Sequence, residues 1–339
     1  MKKIIKLFVI IAVLGLIVPG CESNMNTSQE VNSMPQVEFT TSNTEPQKEK
    51  IKIYVSNYPL YDITKNIVGE EADVINVMQN NTTSHNWEPS THDVIELSKT
   101  DVFIYTGTQM ESWAGTLISD GTITGKIIDA SQGVESLSYD HDHEEHVNDH
   151  KHEEHEDEHS DHSHGEYDPH IWLSLRNAEI IFENIKNVLQ GVDPDNADKY
   201  EENYQEFSNK LKELDNKYST EFKNAKNKYI VVSHEAYGYL CRDYDFNQIG
   251  IEGINAAGEP SVQQINEIIN TIKDKNIKTI FYENTINPKV ANLIATEAGA
   301  KTIMLSPLES LSNEQEMNKE DYLSIMQDNL DKILEALNE

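Results

Sequence analysis

The segment 195–226 constrains the fold of this 339-residue chain more than any other feature. It contains no Gly and no Pro and is rich in Glu, Lys and Asn, a composition that favours one uninterrupted helix. The Asp193-Pro194 pair just before it is typical of a helix start. A helix of about thirty residues would extend on the order of 45 Å, which is long enough to cross two domains. The rest of the chain must therefore be arranged on both sides of this connecting helix.

Strand and helix patterns alternate in the residues before the connecting helix. Short runs rich in β-branched residues predict strands at 51–55, 72–78, 102–105 and 126–128. Apolar residues at helical spacing predict helices at 58–68 and 93–99. Because such alternation is typical of parallel βα units, we expect residues 50–190 to form an N-terminal lobe.

Residues 227–339 repeat the same alternation and are expected to form a C-terminal lobe. Strands are predicted at 229–232, 279–282 and 302–305. Helices are predicted through Tyr237 and Leu240 and at 262–272, 289–298 and 321–337. The predicted fold class is α/β, with two βα lobes built on parallel sheets and joined by a single long helix at 195–226. One helical connection implies a stiff hinge with limited closure.

The N-terminus is expected to be a targeting segment rather than part of the fold. Three lysines precede an apolar run at 7–18, which is too short to span a membrane and suits a lipoprotein signal peptide at 1–20. The signal would end before Cys21, the expected site of lipidation; ordinary signal cleavage beside an incidental cysteine is the alternative. The polar stretch 21–49 is expected to be a flexible tether that holds the protein at the extracytoplasmic face of the cell membrane.

Charge and cysteine content narrow the possible partners. The formal net charge of −32 opposes binding to a phosphate backbone, so we expect no nucleic-acid partner. With Cys21 lipidated, Cys241 is the only other cysteine, so no disulfide is expected and stability must come from packing.

A tract of nine histidines at 140–164 is separated almost entirely by Asp and Glu. Imidazole is a common zinc ligand, so the tract predicts weak binding of several metal ions, although a charged linker is the alternative. Its polarity predicts a solvated loop within the N-terminal lobe. The candidate accessory ligands are His141, His143, His146, His150, His152, His155, His159, His162 and His164.

Four histidines lie outside the tract. His85, His170 and His234 fall just after predicted strands or at the start of loops, where α/β proteins place ligand-binding groups. Although they are distant in sequence, histidines at the carboxyl ends of strands can converge in one cleft. His92 is expected at a helix start facing solvent and is not assigned to a site.

Five ordered motifs resemble those of the bacterial zinc and manganese substrate-binding proteins. Residues 85–101 are similar to the family pattern H-x-Y/W-E-P…D-V-x-x-L-x-x-A-D, and 168–173 to its DPHxWL motif. The stretch 234–239 resembles its H-x-A-x-x-Y motif, and the C-terminal pair resembles two further signatures, at 281–284 and 305–311. The resemblance covers about residues 50–339. The acidic, histidine-rich insertion before 168–173 is typical of zinc-specific members of the ZnuA and AdcA type.

The resemblance implies that a metal ion is held in the cleft between the lobes. His85 and His170 would be ligands from the first lobe, and His234 would be a ligand from the second. Many relatives have Asp where this chain has Ser306, and others have Glu at the position of Glu309. Because a serine hydroxyl is a poor metal ligand, Glu309 is the predicted fourth ligand, with water as the alternative.

The predicted donor set favours Zn²⁺ as the transported ion. Three imidazoles and one carboxylate suit tetrahedral zinc, whereas related manganese receptors are expected to use two histidines and two carboxylates. The same set does not discriminate against Cu²⁺ or Ni²⁺. Carboxylates that accept the other ring N–H of a histidine ligand orient it, and the candidates are Glu111, Asp168, Glu235 and Glu283.

These features predict a lipid-anchored, monomeric zinc receptor that delivers its ion to an ABC permease, and not an enzyme. A receptor for manganese or another divalent metal and a metal-dependent surface adhesin are the alternatives. A secreted zinc hydrolase is less favoured because no general base paired with a nucleophile is evident. Since the tract ends only a few residues before His170, we expect it to collect zinc and pass it to the site.

Overall fold

The structure, a computed structural model, describes residues 49–138, 167–256, 258–283 and 287–339. The predicted signal peptide, the lipidation site at Cys21 and the tether up to residue 48 lie outside the described residues. The nine histidines of the tract also lie outside them. No helix in the described ranges combines the length and apolar character needed to cross a bilayer.

The N-terminal lobe contains a four-stranded parallel sheet. Its strands are β1 (Lys52–Val55), β2 (Asp73–Asn76), β3 (Val102–Tyr105) and β4 (Lys126–Asp129), in the spatial order β2-β1-β3-β4. Its helices are α1 (Tyr58–Val68), α2 (Thr91–Leu97), α3 (Ser112–Ser119) and α4 (Leu175–Val192). Helix α1 begins where the sequence specifies a cap: the Asn57 side chain accepts the backbone N–H of Leu60, and Pro59 occupies the first turn.

The connecting helix, α5, spans Ala197–Glu221 and is therefore about 37 Å long. A single 3-10 turn lies at each end, at Pro194–Asn196 and Phe222–Asn224, so helical backbone covers most of the predicted segment. Its buried face is largely aromatic and includes Tyr200 and Phe207.

The C-terminal lobe contains a second four-stranded parallel sheet. Its strands are β5 (Tyr229–His234), β6 (Asn247–Glu252), β7 (Thr279–Tyr282) and β8 (Lys301–Met304), in the order β6-β5-β7-β8. Its helices are α6 (Gly238–Tyr244), α7 (Val262–Asp274), α8 (Lys289–Ala298), α9 (Asn313–Asn318) and α10 (Tyr322–Asn338). The two sheets and the long helix confirm the predicted fold class.

Strand β6 and helices α3, α4 and α9 were not predicted. Strand β6 lies at the edge of its sheet, so its sequence, NQIGIE, is half polar and lacks the apolar run of a central strand. Gly250 is required there because a Cβ atom would come within 2.4 Å of the Glu235 side chain. Helix α4 buries Ile181, Ile185 and Leu189 at helical spacing against α5, so its sequence does carry a helical signal.

One hydrophobic core extends through both lobes. It contains residues of α1, α4, α5 and α10 and the facing residues of both sheets, such as Ile53 and Val232. Smaller apolar clusters cover the opposite face of each sheet, around Phe103 in the first lobe and Ile280 in the second. Because the shared core is apolar and continuous, it holds the two lobes in a fixed relation.

Candidate metal centre

Four side chains converge between the two sheets. His234 is the last residue of β5, His85 lies in a 3-10 turn after β2, His170 follows β4 in chain order, and Glu309 follows β8. One potential ligand atom from each lies within 4.8 Å of the others. For His85, His234 and Glu309 this placement follows from topology, because residues after the carboxyl ends of parallel strands lie at the same edge of a sheet. His170 is instead placed by the 3-10 turn at Ile171–Leu173, which it precedes.

The distances within this cluster suit one tetrahedral cation. Nε2 of His170 lies 3.1 Å from Nε2 of His85 and 3.4 Å from Nε2 of His234. Oε1 of Glu309 lies 3.5 Å from Nε2 of His85 and 3.9 Å from Nε2 of each of the other two histidines. A tetrahedron with zinc–nitrogen bonds of 2.0–2.1 Å has edges of about 3.3 Å. A small four-coordinate cation could therefore bind with only slight adjustment of the side chains.

Two carboxylates orient two of the imidazoles. Asp168 Oδ1 lies 2.8 Å from Nδ1 of His170, and Glu283 Oε1 lies 2.8 Å from Nδ1 of His234. A carboxylate accepts, so each Nδ1 carries the proton and each Nε2 directs its lone pair into the cluster. Asp168 Oδ1 also accepts the backbone N–H of His170 at 2.9 Å, which fixes the carboxylate itself.

Burial keeps two of the imidazoles neutral. It lowers the pKa of His170 to about 3 and that of His85 to about 4. For His234, burial also acts to lower the pKa, but the carboxylates of Glu283, Glu309 and Asp168 together outweigh burial and the pKa is raised. Metal binding requires deprotonated nitrogen, so His85 and His170 present lone pairs at neutral pH.

The Glu309 carboxylate is held ionised and in one orientation. Burial acts to raise its pKa, but the three imidazoles lower it below its usual range. The turn that carries it contains Leu308 in a left-handed conformation, with φ of 61°, which costs a leucine about 1–2 kcal/mol. Such strain persists only where surrounding contacts enforce it, and here it places a carboxylate beside three imidazoles.

Ser306, whose hydroxyl is a poor metal ligand, has a structural role. Its backbone N–H donates to Oδ1 of Asn329 at 3.0 Å, and its hydroxyl accepts the backbone N–H of Leu308 at 3.2 Å. Ser306 therefore shapes the turn that presents Glu309. His92 lies exposed in α2, apart from the cluster, as expected.

Of the four predicted orienting carboxylates, Asp168 and Glu283 contact histidines. Glu111 instead accepts the Ser56 hydroxyl at 2.6 Å and the Thr106 backbone N–H at 3.0 Å, so it ties β1 to β3. Glu235 packs its side chain over Gly250 of the edge strand.

A cavity of about 170 Å³ leads to the cluster and is lined in part by His85, Met110 and Tyr167. Tyr167 pairs with Ser138 in an antiparallel bridge, and the backbone N–H of Asp168 donates to Leu137 at 2.9 Å. The residues that flank segment 139–166 therefore lie side by side near this opening.

Two further groups near the cluster were not identified from the sequence. Thr83 and Ser84 donate to Glu309 across the cleft, from 226 and 225 residues away. A threonine and a serine before a histidine are not a recognisable metal-site motif. This contact with Glu309 could therefore not be predicted from the sequence.

Comparison with known proteins agrees with the geometry. The ZnuA family model, described as zinc-uptake complex component A, periplasmic, matches residues 53–336. The zinc-binding protein AdcA of Streptococcus pyogenes is 36% identical over 290 residues, covering 84% of this chain and 55% of AdcA. The chain thus spans about half the length of the AdcA relatives. The high-affinity zinc uptake system protein ZnuA of Bacillus subtilis is 35% identical over 299 residues, covering 88% of this chain and 91% of that protein.

Solved structures give the same result. The Zn(II)-bound ZnuA-like domain of Streptococcus pneumoniae AdcA superposes with a TM-score of 0.71 at 31% identity, covering 86% of this chain and all of that domain. The laminin-binding protein Lmb of Streptococcus agalactiae also superposes with a TM-score of 0.71 at 31% identity, covering 85% of this chain and 99% of Lmb. By sequence and by structure, this chain belongs to the ZnuA family.

Proposed function

We propose that this protein captures Zn²⁺ outside the cytoplasm and delivers it to an ABC permease for zinc uptake. The observation that carries the proposal is the cluster of His85, His170, His234 and Glu309, whose donor atoms lie at distances suited to tetrahedral zinc. The carboxylates that orient His170 and His234 support it, because such partners are typical of metal-bound histidine.

The donor chemistry favours zinc over manganese. Three nitrogens and one oxygen form a borderline-soft set, whereas Mn²⁺ prefers octahedral, oxygen-rich sites. Cu²⁺ and Ni²⁺ bind nitrogen ligands at least as well in raw affinity, so competition among these ions must decide the selectivity.

Transfer to a permease and anchoring through Cys21 form part of the same proposal. A relative from Streptococcus pneumoniae that is 32% identical bears the name zinc-binding lipoprotein AdcA, and the family description places its members in a zinc-uptake complex. The predicted signal peptide and tether fit this arrangement, with a monomeric receptor held near the membrane.

We propose that the histidine tract is an accessory zinc-collecting loop. Its support is the bridge between Ser138 and Tyr167, which places the residues that flank 139–166 side by side near the cavity that leads to His85. Histidines attached at that point would be present at a high local concentration near the site.

An enzymatic role is not supported, since the ZnuA family consists of transport binding proteins. The spacing HExxH occurs once in the tract, at His155 and His159, but it lies in an acidic, histidine-rich run and outside the described residues. Adhesion is a second candidate, because Lmb of Streptococcus agalactiae is described as a bifunctional protein with adhesin and metal-transporting activity.

Competition titration of the full chain tests the proposed function. Zinc should displace Mn²⁺ from one tight site, and His170→Ala should abolish that site without unfolding the chain. Tight manganese binding that zinc fails to displace would contradict a zinc receptor.

A further inference from the structure

The two oxygens of the Glu309 carboxylate have different environments. Oε1 faces the imidazoles, at 3.5 Å from Nε2 of His85. Oε2 accepts three hydrogen bonds: from the Thr83 hydroxyl at 2.9 Å, from the Ser84 hydroxyl at 2.9 Å and from the Ser84 backbone N–H at 2.7 Å. Hydrogen bonds to a charged acceptor are the stronger kind, so these donors fix which oxygen faces the cluster.

The donors belong to the opposite lobe and do not serve the local structure. Thr83 directly precedes the 3-10 turn at Ser84–Asn86, yet its side chain does not cap that turn. Its hydroxyl instead reaches Glu309, which is 226 residues away. Ser84 immediately precedes His85. The same short segment therefore supplies one candidate metal ligand, His85, and donates hydrogen bonds to another, Glu309.

Further hydrogen bonds join residues 81–82 to the turn that carries Glu309. The backbone N–H of Asn81 donates to the carbonyl of Leu311 at 3.1 Å. The Ser310 hydroxyl donates to the carbonyl of Thr82 at 2.8 Å, and the Thr82 N–H donates back to that hydroxyl at 3.2 Å. These hydrogen bonds would have to break before the loop at 81–84 could move away from Glu309. Oε2 is therefore held beside its three donors.

Fixing Oε2 limits the coordination number that the site can offer. Zinc in a protein site of this kind takes four ligands, whereas Mn²⁺, Mg²⁺ and Ca²⁺ take six or more, mostly oxygens. A glutamate can raise the coordination number by binding with both oxygens. Here that would require Oε2 to give up a backbone N–H as well as two hydroxyls.

We infer, on the basis of the zinc-receptor function proposed above, that Thr83 and Ser84 are positioning residues that set metal preference. They hold Glu309 as a one-oxygen ligand and thereby favour a four-coordinate cation over a six-coordinate one. Neither residue contacts the ion in this arrangement; each acts through Glu309.

Substitutions that remove only the hydroxyls test the inference in the full chain. Thr83→Val keeps the side-chain shape, Ser84→Ala keeps the backbone N–H, and the double variant removes both hydroxyls. Thr83→Ser keeps a hydroxyl at position 83. Thr82→Val is the matched control, because Thr82 bonds to Ser310 only through its backbone N–H and carbonyl in these contacts. The readouts are the ratio of Zn²⁺ to Mn²⁺ affinities and the number of oxygens around bound zinc by X-ray absorption.

The double variant should bind zinc about 10- to 100-fold more weakly, as is usual when a partner of a metal ligand is lost. Manganese affinity should fall less or rise, so the preference for zinc should drop by about tenfold, with an added oxygen ligand around zinc. Thr83→Ser and Thr82→Val should keep the wild-type ratio. If the double variant does not fold, the Zn²⁺-to-Mn²⁺ affinity ratios of Thr83→Val and Thr83→Ser are compared instead. The ratio should drop only in Thr83→Val.

An unchanged affinity ratio and oxygen count in the double variant would overturn the inference and leave the zinc-receptor function standing. Failure of the wild-type chain to bind zinc tightly would overturn both. The two failures are therefore distinguishable in one set of titrations.

Discussion

The Nε2 atoms of His85 and His170 lie 3.1 Å apart, and Nε2 of His234 lies 3.4 Å from that of His170. Because Asp168 and Glu283 accept hydrogen bonds from the Nδ1–H groups of His170 and His234, Nε2 of each of these two histidines faces the cluster with its lone pair. Lone pairs that converge on one point repel each other, and a divalent cation between them replaces that repulsion with attraction. The cluster is thus arranged for an ion before one binds.

Zinc should stabilise the folded chain through this cluster. At a free concentration a thousand times Kd, the stabilisation is about 4 kcal/mol, equivalent to a rise in Tm on the order of 10 °C. Calorimetry of the full chain measures it. His85→Ala should remove most of the rise, whereas His92→Ala, at an exposed position of α2, should keep it. If zinc raised the Tm of both variants equally, zinc would bind at a site that does not include His85.

The carboxylate behind His234 should contribute to affinity without touching the ion. Glu283→Gln keeps the size of the side chain but removes the charge that holds Nδ1–H, so zinc affinity should fall about 10- to 100-fold. Glu111→Gln is the matched control, because Glu111 is equally buried but bonds to Ser56 and Thr106. Isothermal titration should show near wild-type affinity for Glu111→Gln. Similar losses in both variants would point to a general effect of burying an amide.

Acidification should weaken zinc binding through one or two protons. The pKa of His85 is about 4 and that of His170 about 3, so both stay neutral between pH 7 and 5. The His234–Glu283 pair has raised pKa values, and burial raises the pKa of Asp168 to about 7. As pH falls, these groups take up protons that zinc must displace, so affinity decreases.

The logarithm of Kd, measured at pH 7, 6 and 5, should therefore change by about one to two per pH unit. A slope near three would mean that all three imidazoles titrate together in this range. No slope at all would argue against histidine ligation.

The histidine tract should add capacity but not the tight site. Deleting residues 140–164 should leave one tightly bound zinc and lower the total number of ions bound, because the four clustered candidate ligands lie outside the tract. Replacing its nine histidines with Asn, which keeps the length, is the matched control and should give the same result. Loss of tight binding in both variants would make the tract part of the site itself.

Apolar periodicity predicted most of the helices and strands, but not helices α3, α4 and α9 or strand β6. Helix α1, strands β3 and β7 and helix α8 have the predicted bounds. Strand β6 was missed because an edge strand with a required Gly250 lacks the apolar run that identifies a buried strand.

The candidate site was predictable only in part. His234 ends strand β5, a position that topology makes functional, whereas His170 precedes a 3-10 turn and was identified mainly through its family motif. The three hydrogen bonds that orient Glu309 were not predictable, because they join Thr83 and Ser84 to a residue more than 220 positions away. Contacts of this kind exist only once both lobes have packed on their shared core.

X-ray absorption at the zinc edge directly measures which ligands surround the bound ion. The measurement uses the full chain with the tract histidines replaced and one equivalent of zinc added. We expect four ligands: three imidazole nitrogens at about 2.0–2.1 Å and one carboxylate oxygen at a similar distance. A shell of five or six ligands dominated by oxygen, or one with fewer than three imidazoles, would contradict this expectation.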